Sequence, residues 1–374
     1  MKACVPLPKD ALLEREIAGL IISGFNEDRL NSDLETELKN GLGGVILFRN
    51  NVGSPKAVIE LTESLRDAAD DEDLLIAIDH EGGRVIRLAE PFTQFPPMAS
   101  LGRANDIELA RQVGIAVGLE LAAVGINWNF SPVVDLCEPS PKGHLGDRSF
   151  GVNPESVSKI ACAYIEGLQS AGVAACAKHF PGHGSVTGDS HTELPETGLT
   201  RKEMEPHLEP FRAAAKSGVA SIMTAHIRVR SIDPYLPATL SPSAIQGILR
   251  EDIGYTGVII TDDVQMAGVA ETVGSPDASF MALRAGADAI LVAHDLALAV
   301  SIRKHIDLAV RHLAIEIDSI MSSVQRMRDL KKRFRSSKKS RPPLDVIGCK
   351  EHRELLEHIA EFNSSGAAWR QPKV

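Results

Sequence analysis

A chain of 374 residues with 44% hydrophobic and 24% charged side chains has the make-up of a soluble globular protein, long enough for one large domain or two ordinary ones. Its formal charge of -10 argues against general nucleic-acid binding, and no apolar run approaches the roughly 18–20 residues of a membrane span. Aromatic residues are only 4%, so the core has to be built from Ala, Val, Ile and Leu, which suits buried parallel strands covered by helices.

The chain begins Met1-Lys2-Ala3-Cys4-Val5-Pro6, without the long apolar stretch of a secretory signal. Its five cysteines (Cys4, Cys137, Cys162, Cys176 and Cys349) are odd in number and widely spaced, with no CxxC. That pattern disfavours a disulfide framework and structural zinc, and a reducing, cytoplasmic setting is expected. From there one alternation repeats about eight times. Short apolar runs at 17–25, 43–50, 74–82, 125–136, 173–179, 220–227, 257–264 and 288–294 read as strands. Longer segments between them read as helices: 34–41, 55–69, 106–124, 153–172, 202–218, 242–252, 276–285 and 296–314. In one of these, Val157, Ile160, Ala161, Tyr164, Ile165 and Leu168 recur at helical spacing. Gly172, Gly218 and Gly286 each separate a helix from the next strand, as helix C-caps do.

Alternating strands and helices mean a parallel sheet. Eight such units predict an α/β protein with a closed (β/α)8 TIM barrel, the open doubly wound sheet being the alternative. No GxGxxG follows the first strand, which weakens a nucleotide-binding sheet. The expected organisation is a single catalytic domain over 1–314 and a C-terminal extension over 315–374, made of a charged helix, a basic linker and a tail with one more helix at 351–362. Between Arg326 and Arg341 the chain holds nine of its Lys and Arg residues and one acidic residue, Asp329. Together with Ser336, Ser337, Ser340, Pro342 and Pro343 this run reads as a solvated helix end passing into a linker.

Polar clusters fall where the predicted strands end. They are Phe48-Arg49-Asn50-Asn51, then 79–87 with Asp79, His80, Glu81, Arg84 and Arg87, then 131–135 ending in Asp135 with Gly146-Asp147-Arg148 beyond. Next come 178–191, Thr224-Ala225-His226 and Thr261-Asp262-Asp263. In a (β/α)8 barrel these ends meet on one face, where active sites lie. A purely structural chain has no reason to gather so many titratable groups there, and an enzyme is expected. The stretch 178–191, KHFPGHGSVTGDSH, carries three histidines, a lysine and an aspartate among glycines.

Several chemistries compete for these groups. His179, His183, Asp189 and His191 could ligate a metal, but the spacing is neither HExxH nor that of a Cys/His finger, and Lys178 would put a cation beside it. A serine nucleophile would want GxSxG, and a phosphate cradle GK[ST]; neither is present. Glycoside hydrolysis needs a carboxylate near the sugar's C1 and a proton donor for the leaving oxygen. Asp262 or Asp263, emerging from a strand, can be the carboxylate. Asp189 can orient His191 as donor, and Asp79, Arg87, Arg148 and Lys178 suit sugar hydroxyls.

The stretch 178–191 resembles the KHFPGHG-x4-DSH signature of bacterial family 3 β-N-acetylglucosaminidases, the NagZ type of peptidoglycan recycling. The resemblance extends over roughly 15–300 through Gly44-Val45-Ile46-Leu47-Phe48, 79–87, Asn129-Phe130-Ser131-Pro132-Val133-Val134-Asp135, 146–150, 221–226, 237–241 and 261–266. It implies a (β/α)8 barrel and a retaining mechanism through a glycosyl-enzyme ester, with Asp262 as nucleophile and His191 as acid/base partnered by Asp189. Asp79, Arg87, Arg148, Lys178 and His179 would grip the N-acetylglucosamine ring. The implied substrate is a small GlcNAc glycoside or muropeptide, with no cofactor, no metal and no nucleic-acid or membrane partner, acted on by a monomer. A histidine acid/base is neutral after the first step, which leaves room for phosphate as acceptor in place of water. Phosphorolysis therefore remains an alternative, as does a catalytically silent carbohydrate-binding barrel.

Two departures from the family pattern, His80 and Gln265, could alter the rim of the site, while His80 is itself read, with His144 and His294, as a loop-packing residue. His183 is expected to fix its loop by hydrogen bonding, Asp263 to be structural, Arg84 to anchor its loop and Trp128 to be core. The glycines of 178–191 suggest a hinge on which Asp189 and His191 swing over the sugar.

Overall fold

Eight short parallel strands close on themselves in chain order in the computed structural model, which describes residues 10–71, 73–140, 144–186, 188–190, 193–336 and 341–365. They are β1 (Ile21–Ser23), β2 (Gly44–Leu47), β3 (Leu75–Ile78), β4 (Trp128–Asn129), β5 (Ala174–Phe180), β6 (Ser221–Thr224), β7 (Val258–Asp263) and β8 (Ala289–Val292). The last strand returns to the first through Ile290↔Ile21 and Val292↔Ser23. That pairing closes the sheet and excludes the open doubly wound alternative. Every residue of β2, β3, β5, β6 and β8 is buried, which is why β2, β3 and β8 are apolar throughout instead of alternating, whereas β5 and β6 also bury Lys178, His179, Ser221 and Thr224.

The helices follow from local signals. Pro55–Ala69 starts with Pro55 in its first turn and the Ser54 hydroxyl accepting the Ala57 N–H. It buries Val58, Leu61, Thr62, Leu65 and Ala69, a stripe of three- and four-residue steps that faces the barrel. Arg201–Lys216 starts with a capping box between Thr200 and Glu203. The predicted run 17–25 starts inside a helix, Asp10–Ala18, because Leu13 and Ile17 are four apart and both face inward. The segment at 242–252 is a wide, π-type helix, Ser243–Asp252. Short helices at Met98–Ala104 and Ala267–Val273, and a small parallel pair of Glu196–Thr197 with Arg228–Val229, lie in segments read as loops.

The basic run is the exposed helix end expected of it, with Arg328, Lys332, Arg333 and Arg335 all exposed, but several of its cations are paired. The helix Ile317–Arg333 turns Ile320, Val324, Met327 and Leu330 inward, and its cations and those just beyond it meet acidic groups on neighbouring helices and on the turn before β3. Lys331 meets Asp71 at 2.9 Å, Arg335 meets Asp73 at 2.8 Å and Arg341 meets Glu63 at 3.1 Å, while Arg328 pairs with Glu16. Fully buried Asp288, one residue before β8, accepts from Ser323 at 3.0 Å and Arg326 at 2.8 Å. The last helix, Lys350–Ser365, is held by His352 Nδ1 2.8 Å from the buried Glu120 carboxylate of helix Ile107–Ala123. No helix among the described residues is long and apolar enough to cross a membrane.

Candidate active site

The C-terminal ends of the strands surround a cavity of about 430 Å³. Phe130, Met223 and Leu291 give it apolar wall, and every other lining group but Val85 is charged or an imidazole.

One side is built by β3 and β5. Immediately after β3 the chain presents Asp79 and Glu81, and inside β5 it presents Lys178. The Lys178 ammonium lies 2.7 Å from Asp79 Oδ1 and 2.6 Å from Glu81 Oε1. Arg148 closes on both oxygens of Glu81, Nε at 2.7 Å and Nη2 at 2.8 Å, a bidentate pair. Burial opposes the charged forms of Glu81, Lys178 and Arg148. The attractions win: Glu81 is held far below the usual carboxylate range, and both cations are raised. Arg87 reaches Asp79 at 3.8 Å and lies 5.4 Å over the Phe48 ring, which in turn contacts His294 with ring centres 4.4 Å apart.

The other side is built around Asp262, near the end of β7. Its Oδ1 accepts the Asp263 N–H at 2.8 Å, which leaves Oδ2 for the cavity that Asp262 lines. Burial would raise its pKa, but His179, His226, the Asp263 N–H and Lys178 together hold it below the ordinary value, so it is a carboxylate at neutral pH. Asp263 goes the other way: burial raises its pKa, and its Oδ1 accepts the N–H groups of Gln265 and Ala293, both at 3.1 Å. It anchors the loops after β7 and β8, the structural part expected of it.

The loop after β5 crosses above these groups. Asp189 lines the same cavity as Asp262. Ser190 is tied down twice, its hydroxyl 2.9 Å from His183 Nε2 and its carbonyl accepting the Gly268 N–H at 3.1 Å. His191 lies outside the described residues. His183 fixes the loop as expected: its N–H donates to Asp135 Oδ1 at 2.6 Å and its Nδ1 is 2.9 Å from His144 Nε2. The glycines beside it have a static reason as well as the expected hinge. A Cβ on Gly184 would lie 1.9 Å from the Leu136 carbonyl oxygen, and Gly182 has φ +122.

Of the groups singled out from the sequence, Asp262, Asp189, Asp79, Arg87, Arg148, Lys178 and His179 all line the one cavity. Sequence reasoning left Glu81 undecided and missed the place of His144, which also lines it. Asp135 was visible as the end of a strand-end motif, but no spacing rule joins it to His179, 44 residues on, which it meets at 2.7 Å. Trp128 is core, donating from Nε1 to Ser221 Oγ at 2.8 Å, and Arg84 anchors its loop by donating to the His144 carbonyl at 2.7 Å. Among the described residues, no group of three or more His, Cys, Asp or Glu side chains is arranged to hold a metal ion.

The two departures separate. Gln265 is at the rim, its Oε1 accepting the N–H of exposed His294 at 2.9 Å. His80 is not: it is buried behind the Asp79–Arg87 turn, where its N–H donates to Asn129 Oδ1 at 3.0 Å and its Nδ1 is 3.4 Å from the Arg87 N–H. Burial lowers its pKa to about 4, so the folded protein holds it neutral while the unfolded chain protonates it near 6.5. Stability from this group is therefore complete above pH 6.5 and lost as the pH falls towards 4. His80→Gln is expected to make the fall in urea midpoint between pH 7 and pH 4.5 shallower. An unchanged pH slope would contradict this.

The model of the glycosyl hydrolase family 3 N terminal domain matches residues 12–330. The chain belongs to glycosyl hydrolase family 3. This family 3 glycoside hydrolase is 40% identical over 283 residues to a beta-hexosaminidase of Neisseria meningitidis, covering 73% of this chain and 78% of the relative. It is 45% identical over 259 residues to one of Thioalkalivibrio sulfidiphilus, covering 67% and 73%. Among solved structures it superposes on a glycoside hydrolase family 3 beta-N-acetylglucosaminidase from Paenibacillus with TM-score 0.88 and 36% identity, over 94% of this chain and 68% of the other. NagZ from Neisseria gonorrhoeae, in complex with N-trifluoroacetyl-D-glucosamine, matches with TM-score 0.79 and 33% identity, over 92% and 98%.

Proposed function

We propose that this family 3 enzyme is a retaining β-N-acetylglucosaminidase working through a covalent glycosyl–Asp262 ester. The observation that carries the reading is Asp262 itself. It is a carboxylate kept ionised at the end of a rigid strand, with one oxygen facing a cavity whose opposite wall is the Asp79–Lys178–Glu81–Arg148 cluster. Asp79, Arg87, Arg148, Lys178 and His179 hold the hydroxyls of a terminal β-linked N-acetylglucosamine. Asp262 Oδ2 attacks C1, the C1–O bond to the leaving group breaks, and His191, partnered by Asp189, gives its proton to the departing oxygen. Neutral His191 then takes a proton from water, which attacks C1 and releases the sugar and Asp262. The relatives are named beta-hexosaminidase and NagZ, the latter bound to an N-acylglucosamine, which supports a GlcNAc glycoside as substrate; muropeptides and a part in cytoplasmic peptidoglycan recycling are proposed on the resemblance of 178–191.

The test is turnover of an aryl β-N-acetylglucosaminide with and without phosphate, with the sugar product identified. Free N-acetylglucosamine of β configuration in the first turnovers, in both conditions, is expected. The α anomer would overturn retention, the 1-phosphate would replace hydrolysis by phosphorolysis, and calorimetric binding without turnover would leave a binding barrel. Loss of activity on exhaustive chelation would count for a metal-dependent hydrolase.

His191→Ala is expected to slow substrates with poor leaving groups by about 10²–10⁴-fold, and nitrophenyl glycosides much less, since a good leaving group needs little proton donation. Equal losses for both would contradict an acid role.

A further inference from the structure

One buried carboxylate, remote in sequence from the groups assigned above, holds two of them at once. Asp135 is fully buried. It is delivered beside β5 because Val134 N–H donates to the Lys178 carbonyl at 2.8 Å and Lys178 N–H donates to the Pro132 carbonyl at 3.2 Å. Its backbone carbonyl is held by Ser149 Oγ at 2.6 Å. Its Oδ2 receives the His179 N–H at 3.1 Å and lies 2.7 Å from His179 Nδ1, while its Oδ1 receives the His183 N–H at 2.6 Å. Three donors therefore converge on two oxygens, and two of those donors bracket the corner from Phe180 to Gly182. Burial opposes ionisation here, but His179 and His183 outweigh it and the carboxyl stays charged.

This geometry restricts His179. A carboxylate can only accept, so the ring nitrogen facing it has to carry a proton. The Nδ1–H then points away from the substrate, and Nε2 is the atom His179 has for the cavity it lines. In the neutral ring Nε2 is an acceptor for a sugar hydroxyl.

Resting on the reading of His179 as a sugar-binding group, we propose that Asp135 is a positioning residue that fixes the tautomer and rotation of His179. The ring thereby meets a terminal sugar with Nε2 and with Nδ1 protonated. Asparagine at 135 keeps the shape but turns an N–H₂ toward either His179 or His183. If toward His179, it meets two donors of that residue and drives the ring to its other tautomer, with a proton on Nε2 where the sugar expects an acceptor.

The test has two arms. In the wild-type protein, ¹⁵N NMR of the histidine rings, with His179 assigned by the signal missing from His179→Gln, is expected to show the proton on Nδ1. A His179 unprotonated at Nδ1 would overturn the proposal, and this arm needs neither substrate nor a stable variant at 135. It also separates the two claims: a wild type that does not turn over aryl β-N-acetylglucosaminides refutes the proposed function and leaves the tautomer standing. In the second arm Asp135→Asn is expected to lower kcat/KM by about 10²-fold, the scale of a misplaced contact. The loss should be equal for good and poor leaving groups and fall to under about threefold when the same change is made in His179→Ala. Additive losses in that cycle, or a loss that grows as the leaving group worsens, would overturn the proposal and assign Asp135 to the loop of Asp189 through His183.

Discussion

Asp262→Asn is expected to reduce turnover of an aryl β-N-acetylglucosaminide by at least about 10⁴-fold, or about 5 kcal/mol of transition-state stabilisation. The side chain keeps its size, and its oxygen can still accept the Asp263 N–H that Asp262 Oδ1 accepts at 2.8 Å, so the strand end should be undisturbed. What is lost is the attacking carboxylate oxygen. Substrate affinity is expected to change far less than kcat, because the groups proposed to hold the ring are untouched. Azide, a small anion, can occupy the space left in Asp262→Gly and should restore activity while forming a glycosyl azide of inverted configuration. Wild-type-like rates in Asp262→Asn would remove the carboxylate from the mechanism. The acid limb of the wild-type profile gives a further check. Asp262 is depressed by His179, His226 and its backbone bond, against the effect of burial, so its own protonation should inactivate the enzyme below the ordinary carboxylate range.

The largest expected effect on stability is at Glu81, not at a group proposed to touch the reacting atoms. Its side chain is 1% exposed, and its two oxygens serve Arg148, 13% exposed, and Lys178, 3% exposed. Glu81→Ala leaves two buried cations with Asp79 as the nearby carboxylate, 2.7 Å from Lys178. Removing one partner from such a cluster costs about 3–5 kcal/mol, because the opposite charge stays buried without compensation. Glu81 has a depressed pKa, so its stabilisation is complete above the ordinary glutamate value of 4.5 and lost as the pH falls through the lowered one. Urea unfolding at pH 7 should therefore show the full loss, and the gap between variant and wild type should narrow in acid. A loss under about 1 kcal/mol at pH 7 would contradict the network. The same change should raise KM, since Arg148 and Lys178 would no longer be held in the cavity wall.

The barrel was legible because its signal is local and repeated. Each strand is a short apolar run, each helix a stripe of three- and four-residue steps, and each boundary a cap or a glycine, so no long-range information is needed to place them. Strand-end polarity was legible for the same reason, and it brought seven of the eight singled-out residues to one cavity, with His191 beyond the described residues. What stayed illegible was which distant residues are the partners of these groups. His80 sits between two rim groups, yet it is buried as its loop-packing reading expected, and the Asn129 side chain that holds its backbone N–H and carbonyl lies 49 residues away. The basic run is exposed as expected, but its own neighbourhood holds almost no acid and so hid its counter-charges, Glu16, Asp71, Asp73 and Glu63, which are some 260 to 310 residues distant.

The sequence by itself determined the order of eight strand–helix units, the gathering of titratable groups at strand ends and the family resemblance carried by 178–191. These are properties of short segments, set by periodicity, capping and residue type. The tertiary structure decided which charges neutralise which. Glu81 became the shared partner of Lys178 and Arg148, Asp262 a carboxylate with one oxygen facing the cavity, and Asp135 the carboxylate beneath His179. The physical reason is that burial and Coulomb attraction fall steeply with distance in space and are indifferent to distance in sequence, so an acid's charge state is fixed when the barrel closes and not before.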